Sequence, residues 1–216
     1  MISNKDSAIK VAQFLLQIKA VRLQPDQPFS WASGWNSPIY CDNRKTLSYP
    51  QIRTFIRQEL SKAILDKYGK PNLIAGVATG GIAQGVLVAQ ELGVGFVYVR
   101  PSAKEHGLNN KVEGYFEEGQ DVVVIEDLVS TGKSSLQAVD SLRESGCIVK
   151  GMVSIFTYGF KAASESFKAA KCELITLTDY DVLIREAVKS KYISEDDLDS
   201  LKEWRENPSV WENKLK

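Results

Sequence analysis

Apolar positions in the first twenty residues return every third or fourth place, with Ile9, Ala12, Leu15, Leu16 and Ile18 on or near one face. Residues 4–20 are therefore predicted to form an amphipathic helix. A polar stretch with prolines follows, then FSWASGWNSPIYCDNRKTLSYP. Ser48, with Pro50 in the first turn, is predicted to start a second helix that runs through Tyr68 and stops at Gly69. Ile52, Phe55, Ile56, Leu60, Ala63 and Ile64 recur along it at helical spacing. From Asn72 the rhythm changes, and NLIAGVA, VGFVYVR, DVVVIED and CIVKGMVSIFTY read as short buried strands. IAQGVLVAQELG, closed by Gly93, and the segment from Thr131 to Ser145, closed by Gly146, read as the helices between them. Continuous Val/Ile runs separated by helices imply strands covered on both faces, hence a parallel sheet with right-handed crossovers. The tail adds a helix near 162–170, a strand at CELITLT and two capped helices beginning near Asp179 and Ser194. The expected fold is one α/β domain over 1–216, a doubly wound, mainly parallel sheet with helices on both faces. Its core is expected over about 49–160, with a small hood from 1–48 and part of the C-terminal tail.

Composition narrows the partners. Lys+Arg and Asp+Glu are both 27, so the net charge is zero, which argues against bulk nucleic-acid or acidic-membrane binding. A hydrophobic content of 44% excludes disorder as the default state. No apolar run approaches the roughly 20 residues that a membrane-spanning helix needs, and the N-terminus lacks a signal-peptide core. Cys41, Cys147 and Cys172 are widely separated with no CxxC, which suits a reduced cytoplasmic chain and offers no disulfide or metal framework.

In an open parallel sheet, ligands bind outside the carboxyl ends of the strands, and three loops project there. DVVVIED ends in adjacent carboxylates, Glu126 and Asp127, before a small polar turn, Ser130–Thr131–Gly132–Lys133–Ser134, opens a helix. The first N–H groups of a helix lack intrahelical partners and favour anions, so this turn reads as a phosphate cradle. Acids at one end and a cradle at the other suit a ribose 5-phosphate. A P-loop is excluded, because the required glycine five places before Gly132 is Asp127. Thr79–Gly80–Gly81, after NLIAGVA, offers a second cradle for a diphosphate. The loop after VGFVYVR carries Lys104 and the chain's only histidine, His106, close to Arg100, a combination suited to anion binding. That loop is poor in apolar anchors and is expected to be mobile when empty.

These segments together resemble the type I phosphoribosyltransferases, whose phosphoribosyl-pyrophosphate (PRPP) motif has an apolar strand, two acids and a Ser/Thr–Gly turn. FSWASGWNSPIYCDNR, RPSAKEHG and VATGGIAQG resemble the N-terminal signature, catalytic loop and pyrophosphate loop of the orotate phosphoribosyltransferase family. The resemblance implies Mg²⁺-dependent transfer of the 5-phosphoribosyl group from PRPP to orotate, in pyrimidine biosynthesis. It implies Glu126 and Asp127 on the ribose hydroxyls, Leu128, Val129, Ser130, Thr131, Gly132, Lys133 and Ser134 around the 5-phosphate, and Thr79, Gly80, Arg100, Lys104 and His106 around the diphosphate. Lys104, His106 and Asp127 become the catalytic candidates. Tyr40, Ser130 and Tyr158 fall on the orotate side, with Tyr40 as a wall and Trp31, Trp35, Trp204 and Trp211 as packing residues. No direct protein ligand for Mg²⁺ is expected, since substrate oxygens and water suffice. The family pattern also implies a homodimer in which the loop 101–113 reaches the neighbouring active site.

The chain departs from the pattern at Ala32 and Pro101, where basic residues usually stand, and at Tyr158, where a base-contacting Arg would fall. Lys161 or backbone donors of residues 39–41 are the alternatives for holding orotate. Transfer to a purine or uracil, and a non-catalytic PRPP sensor on the same fold, remain the competing readings.

Overall fold

The computed structural model describes residues 1–31, 34–101 and 111–211. Helix α1 (Lys5–Gln17) starts where the Asn4 side chain accepts a hydrogen bond from the Ser7 amide, and it buries Ala8, Val11, Ala12, Leu15 and Leu16. Ile9, expected on that face, is 37% exposed; the buried stripe runs through Ala8 and Val11 instead. Four short strands follow: β1 (Val21–Leu23), β2 (Phe29–Ser30), β3 (Asn36–Ser37) and β4 (Ile39–Cys41). They form two antiparallel pairs, β1 with β4 and β2 with β3. Ser48 does not cap the next helix. It ends a 3-10 turn, Asn43–Ser48, and Tyr49 precedes α2 (Pro50–Tyr68). Gly69, at φ 70°, closes α2 as the sequence predicts.

The central sheet contains β5 (Leu73–Val77), β6 (Gly95–Val99), β7 (Val112–Glu113), β8 (Asp121–Val129), β9 (Ile148–Thr157) and β10 (Leu174–Asp179). Its spatial order is β10-β9-β8-β5-β6-β7. All pairings are parallel except β6 with β7. The connecting helices are α3 (Gly80–Leu92), α4 (Lys133–Glu144) and α5 (Lys161–Ala169), followed by α6 (Tyr180–Lys189) and α7 (Leu198–Glu206). Every residue of β5 is buried, as a strand covered by helices on both faces must be.

The path from β5 through α3 to β6 moves one way across the sheet; β8 through α4 to β9 moves the other. Right-handed crossovers in opposite directions place α3 and α4 on opposite faces. The strand order therefore reverses between β5 and β8, and a crevice opens there at their carboxyl ends.

Three boundaries differ from expectation. The sheet continues past residue 160 to β10, so the core is larger than 49–160, and α1 packs on α6 and β10 rather than joining a hood. Residues 112–113 pair with β6 as β7, with Val112 buried, so the far end of the 101–113 loop is sheet. Strand β8 also outruns the acids, because Leu128 pairs with Phe156 and Val129 with Thr157 of β9.

The hood consists of the small strands pinned by α7. Trp204, fully buried, donates its indole N–H to the Asn36 carbonyl at 3.2 Å. The rings of Trp31, Tyr158, Phe160 and Tyr180 lie 5.4–5.6 Å from it, centroid to centroid. The tryptophan packing role expected for Trp204 is what the geometry shows.

Candidate active site

The crevice is bounded on the β5 side by the Thr79–Gly80–Gly81 turn. A Cβ at Gly81 would overlap the Ile125 carbonyl of β8, and one at Gly76 would come within 2.8 Å of the Gly81 carbonyl. Only glycines let the turn lie this close to the neighbouring strand. A Cβ at Gly80 would overlap the Asp127 carboxyl group, so that carboxyl lies directly against the turn. The Ala78–Thr79 peptide is cis, and no side chain caps the α3 N-terminus.

On the β8 side the two acids are not equivalent. Glu126 is 5% exposed: its Oε2 accepts from Ser135 Oγ at 3.0 Å and its Oε1 from the Asp127 amide at 3.0 Å. Burial, and then the neighbouring Asp127 charge, pushes its pKa well above the carboxylate range. Asp127 is half-buried; burial raises its pKa, and a hydrogen bond with Glu126, the Arg44 charge and the Leu128 amide oppose that rise. The sequence places both acids at the ribose, but only Asp127 opens to the crevice. Glu126 is enclosed because it packs beneath the first turns of α4.

The turn read from sequence as the phosphate cradle begins later than expected. Val129 is buried in the ladder, and its carbonyl accepts from Thr157 Oγ1 at 3.0 Å and from the Tyr158 amide at 3.2 Å. The cradle is thus Ser130–Ser134. Gly132, at φ 80°, is the N-cap of α4, and a Cβ there would stand 2.7 Å from the Phe167 ring. No side chain caps this helix, so its leading amides are left for an anion.

Two clefts meet at these elements. The first, about 350 Å³, is lined by Ser30, Trp31, Tyr40, Cys41, Leu128, Ser130 and Tyr158. Trp31, read from sequence as packing alone, both packs and forms a wall. Tyr158 lines the cleft though it is only 2% exposed, being packed against Trp31, Phe156 and Phe160. Lys161 is not among the residues lining this cleft; its side chain is 90% exposed and its Nζ lies 3.8 Å from Glu165 Oε1. Of the backbone donors at 39–41, the Ile39 amide is engaged by Ser37 Oγ at 3.2 Å.

The second cleft, about 260 Å³, runs from Ala78, Arg100, Pro101 and Lys111 along α4, where Ser134, Asp140 and Glu144 line it. Arg100 Nη1 is 3.3 Å from Glu113 Oε1 on β7, so the cation is held at the cleft by the returning strand. Lys104 and His106 lie outside the described residues, as does Ala32. Sequence reading missed Asn43, which is 1% exposed and donates from Nδ2 to the Asp127 carbonyl at 2.6 Å. The DNR triplet in the N-terminal segment was the available signal, but nothing in the spacing reveals a partner 84 residues away.

Comparison with known proteins points the same way. Residues 47–189 match the family model described as "Phosphoribosyl transferase domain". The orotate phosphoribosyltransferase of Phocaeicola vulgatus is 57% identical over 201 residues, 93% of this chain and 95% of that protein. That of Listeria innocua is 49% identical over 202 residues, 94% of this chain and 97% of the relative. Among solved structures, the orotate phosphoribosyltransferase of Aeropyrum pernix superposes with a TM-score of 0.73 at 27% identity, covering 85% of this chain and 99% of that one. Leishmania donovani UMP synthase gives 0.75 at 26% identity, covering 91% of this chain and 42% of that longer one.

Proposed function

The chain belongs to the phosphoribosyltransferase family, and within it to the orotate phosphoribosyltransferases; from that premise we propose how its two clefts divide the work. It transfers the 5-phosphoribosyl group of PRPP to orotate, giving orotidine 5′-monophosphate and diphosphate, a step of pyrimidine biosynthesis. Breaking the bond between ribose C1 and diphosphate builds positive charge on the sugar and negative charge on the leaving group. The protein's task is to fix both ends and to stabilise the departing charge.

The amides of Thr131–Ser134 hold the 5-phosphate, and Asp127 accepts from the ribose hydroxyls while Glu126 and Ser135 brace it from behind. The diphosphate lies between the Thr79–Gly81 turn and Arg100, beside the second cleft, which Ala78, Arg100 and Ser134 help to line. Orotate enters the aromatic cleft between Trp31, Tyr40 and Tyr158, with Ser130 at its floor, and its N1 attacks the opposite face of C1. Lys104 and His106 are assigned to the diphosphate on the family pattern, and so is a homodimer whose 101–113 loop serves the neighbouring site. A cytoplasmic location suits three free thiols and the absence, among the described residues, of a helix able to cross a membrane.

Mg²⁺ fits this arrangement as an ion carried by substrate. As a hard ion it would take diphosphate and hydroxyl oxygens and water as ligands, beside the Asp127 carboxyl that lies against the Thr79–Gly81 turn. When bound, it would supply charge neutralisation for the departing diphosphate.

The observation that carries the assignment is the contact between Asp127 and Gly80, which joins the ribose acid to the diphosphate turn at the strand-order reversal. A panel of orotate, uracil, adenine and hypoxanthine, each with PRPP and Mg²⁺ and read by chromatography, tests it. Nucleotide and diphosphate are expected from orotate alone; a purine or uracil nucleotide as the main product would overturn the choice of base.

A further inference from the structure

Behind the crevice runs a chain of buried polar side chains that no substrate contact requires. Asn43, Thr46 and Gln84 are all 1% exposed or less. Gln84 Nε2 lies 3.1 Å from Thr46 Oγ1, Thr46 Oγ1 donates to the Asn43 main-chain carbonyl at 2.6 Å, and Asn43 Nδ2 donates to the Asp127 main-chain carbonyl at 2.6 Å. A hydroxyl has one proton, and that of Thr46 is spent on Asn43, so Gln84 must be the donor to Thr46. The chain thus has a fixed direction. It runs from α3, the helix that opens at the diphosphate turn, to the main chain of the ribose acid.

Asn43 also faces the base side. Its Oδ1 accepts from Cys41 Sγ at 3.3 Å, and Cys41 lines the aromatic cleft. Burial and the charges of Asp127 and Asp42 push that thiol up, keeping its proton available to donate. The 3-10 turn does not need the Asn43 side chain, for it is closed by the Lys45 amide to Asp42, the Tyr49 amide to Thr46 and the Thr46 hydroxyl to the Asn43 main-chain carbonyl. The side chain instead spans to a strand 84 residues away. Holding the Asp127 carbonyl fixes the Asp127–Leu128 peptide. The amide at the other end of that peptide, that of Leu128, is one of the groups that favour the charged Asp127 carboxyl.

We propose that Asn43 is a positioning residue for the transfer reaction, a buried post that registers the base cleft, the ribose acid and the diphosphate helix against one another. The proposal rests on the transferase reading above. Hydrogen bonds inside a buried polar network rigidify what they join, and a break leaves a neighbour unpaired; Gln84 Oε1, buried without a hydrogen-bond partner among the described residues, is an open position of this network. Asn43→Ala removes the links to Asp127 and Cys41 together, whereas Thr46→Val, nearly the same shape, cuts the link toward α3 and the Thr46 bond to the Asn43 main-chain carbonyl and leaves the links to Asp127 and Cys41 in place.

Steady-state kinetics of both single variants and the double variant, with calorimetric PRPP titrations and thermal melts, test the assignment. In Asn43→Ala the KM values for PRPP and for orotate are both expected to rise at least about fivefold. Thr46→Val is expected to move both constants the same way by a smaller factor, with the double variant no worse than Asn43→Ala, as links of one chain require. Lower melting temperatures with both constants within about twofold of wild type would reduce Asn43 to a packing residue and overturn the proposal. Should Asn43→Ala fail to fold, Thr46→Val decides by the same two constants. A wild-type protein that binds PRPP but consumes no orotate sinks the transferase reading alone, and the PRPP titrations then decide Asn43 by themselves.

Discussion

Asp127 sits where three constraints cross: its carboxyl lies on Gly80, its carbonyl is held by Asn43, and its neighbour Glu126 occupies the space behind. Replacing Asp127 by Asn keeps the shape and removes the charge. A hydrogen bond to a charged group contributes about 1.5–3 kcal/mol, so kcat/KM for PRPP should fall by roughly 10- to 150-fold with the melting temperature little changed. Unaltered kinetics would remove the ribose assignment. Gly80→Ala tests the same contact from the other side: the added methyl displaces the acid, and PRPP use should drop at least about as far as in Asp127→Asn. Glu126 makes a separate prediction. Because burial raises its pKa, the folded state holds the proton to higher pH than the unfolded chain does. In that window the folded state binds more protons, so stability falls as pH rises above the ordinary glutamate value of about 4.3. Glu126→Gln cannot lose a proton, and its melting temperature should decline less than that of wild type between about pH 5 and about pH 8. Parallel melting curves would contradict the buried, proton-retaining state. Asp127 was legible in sequence as the second of two acids after an apolar strand. The inequality of the pair was not, because burial beneath α4 depends on a partner, Ser135, on the following helix.

Among the elements, the strands and helices of the core could be read directly, since continuous Val/Ile runs and glycine stops have few alternative meanings. Gly69 and Gly93 close α2 and α3 at positive φ, and Asp179 caps α6 by accepting from the Val182 amide. Errors gathered where local pattern and tertiary pairing compete. Strand β8 was read as stopping at its acids, yet β9 continues to pair with it through Val129, which shortens the phosphate turn. Residues 112–113 look like solvated loop but are recruited as β7 by the edge of β6. The aromatic hood was the least legible part, because Trp31, Tyr158 and Trp204 meet from three distant segments. Trp204→Ala should cost about 3–5 kcal/mol of stability, the usual result of emptying a large buried site. It should also raise the orotate KM, since Trp31 and Tyr158 lose the ring that holds them as cleft walls. A destabilised variant with an unchanged orotate KM would show that the hood does not shape the base site.

At the scale of the molecule, the reversal of strand order between β5 and β8 converts a list of loops into a site. Opposite crossover directions leave the crevice uncovered, and the two anion cradles and the acid border it because their loops leave carboxyl ends of adjacent strands, while the hood supplies Trp31, Tyr40 and Cys41 to the aromatic cleft. That much follows from topology, and topology followed from the alternation of apolar runs and helices. The most direct test of the account is the ultraviolet signal of orotate, followed with the purified protein, PRPP and Mg²⁺, with and without a chelator. The account predicts orotate loss matched by diphosphate release and abolished when the metal is withdrawn. Stable orotate absorbance under conditions in which calorimetry shows PRPP bound would contradict it.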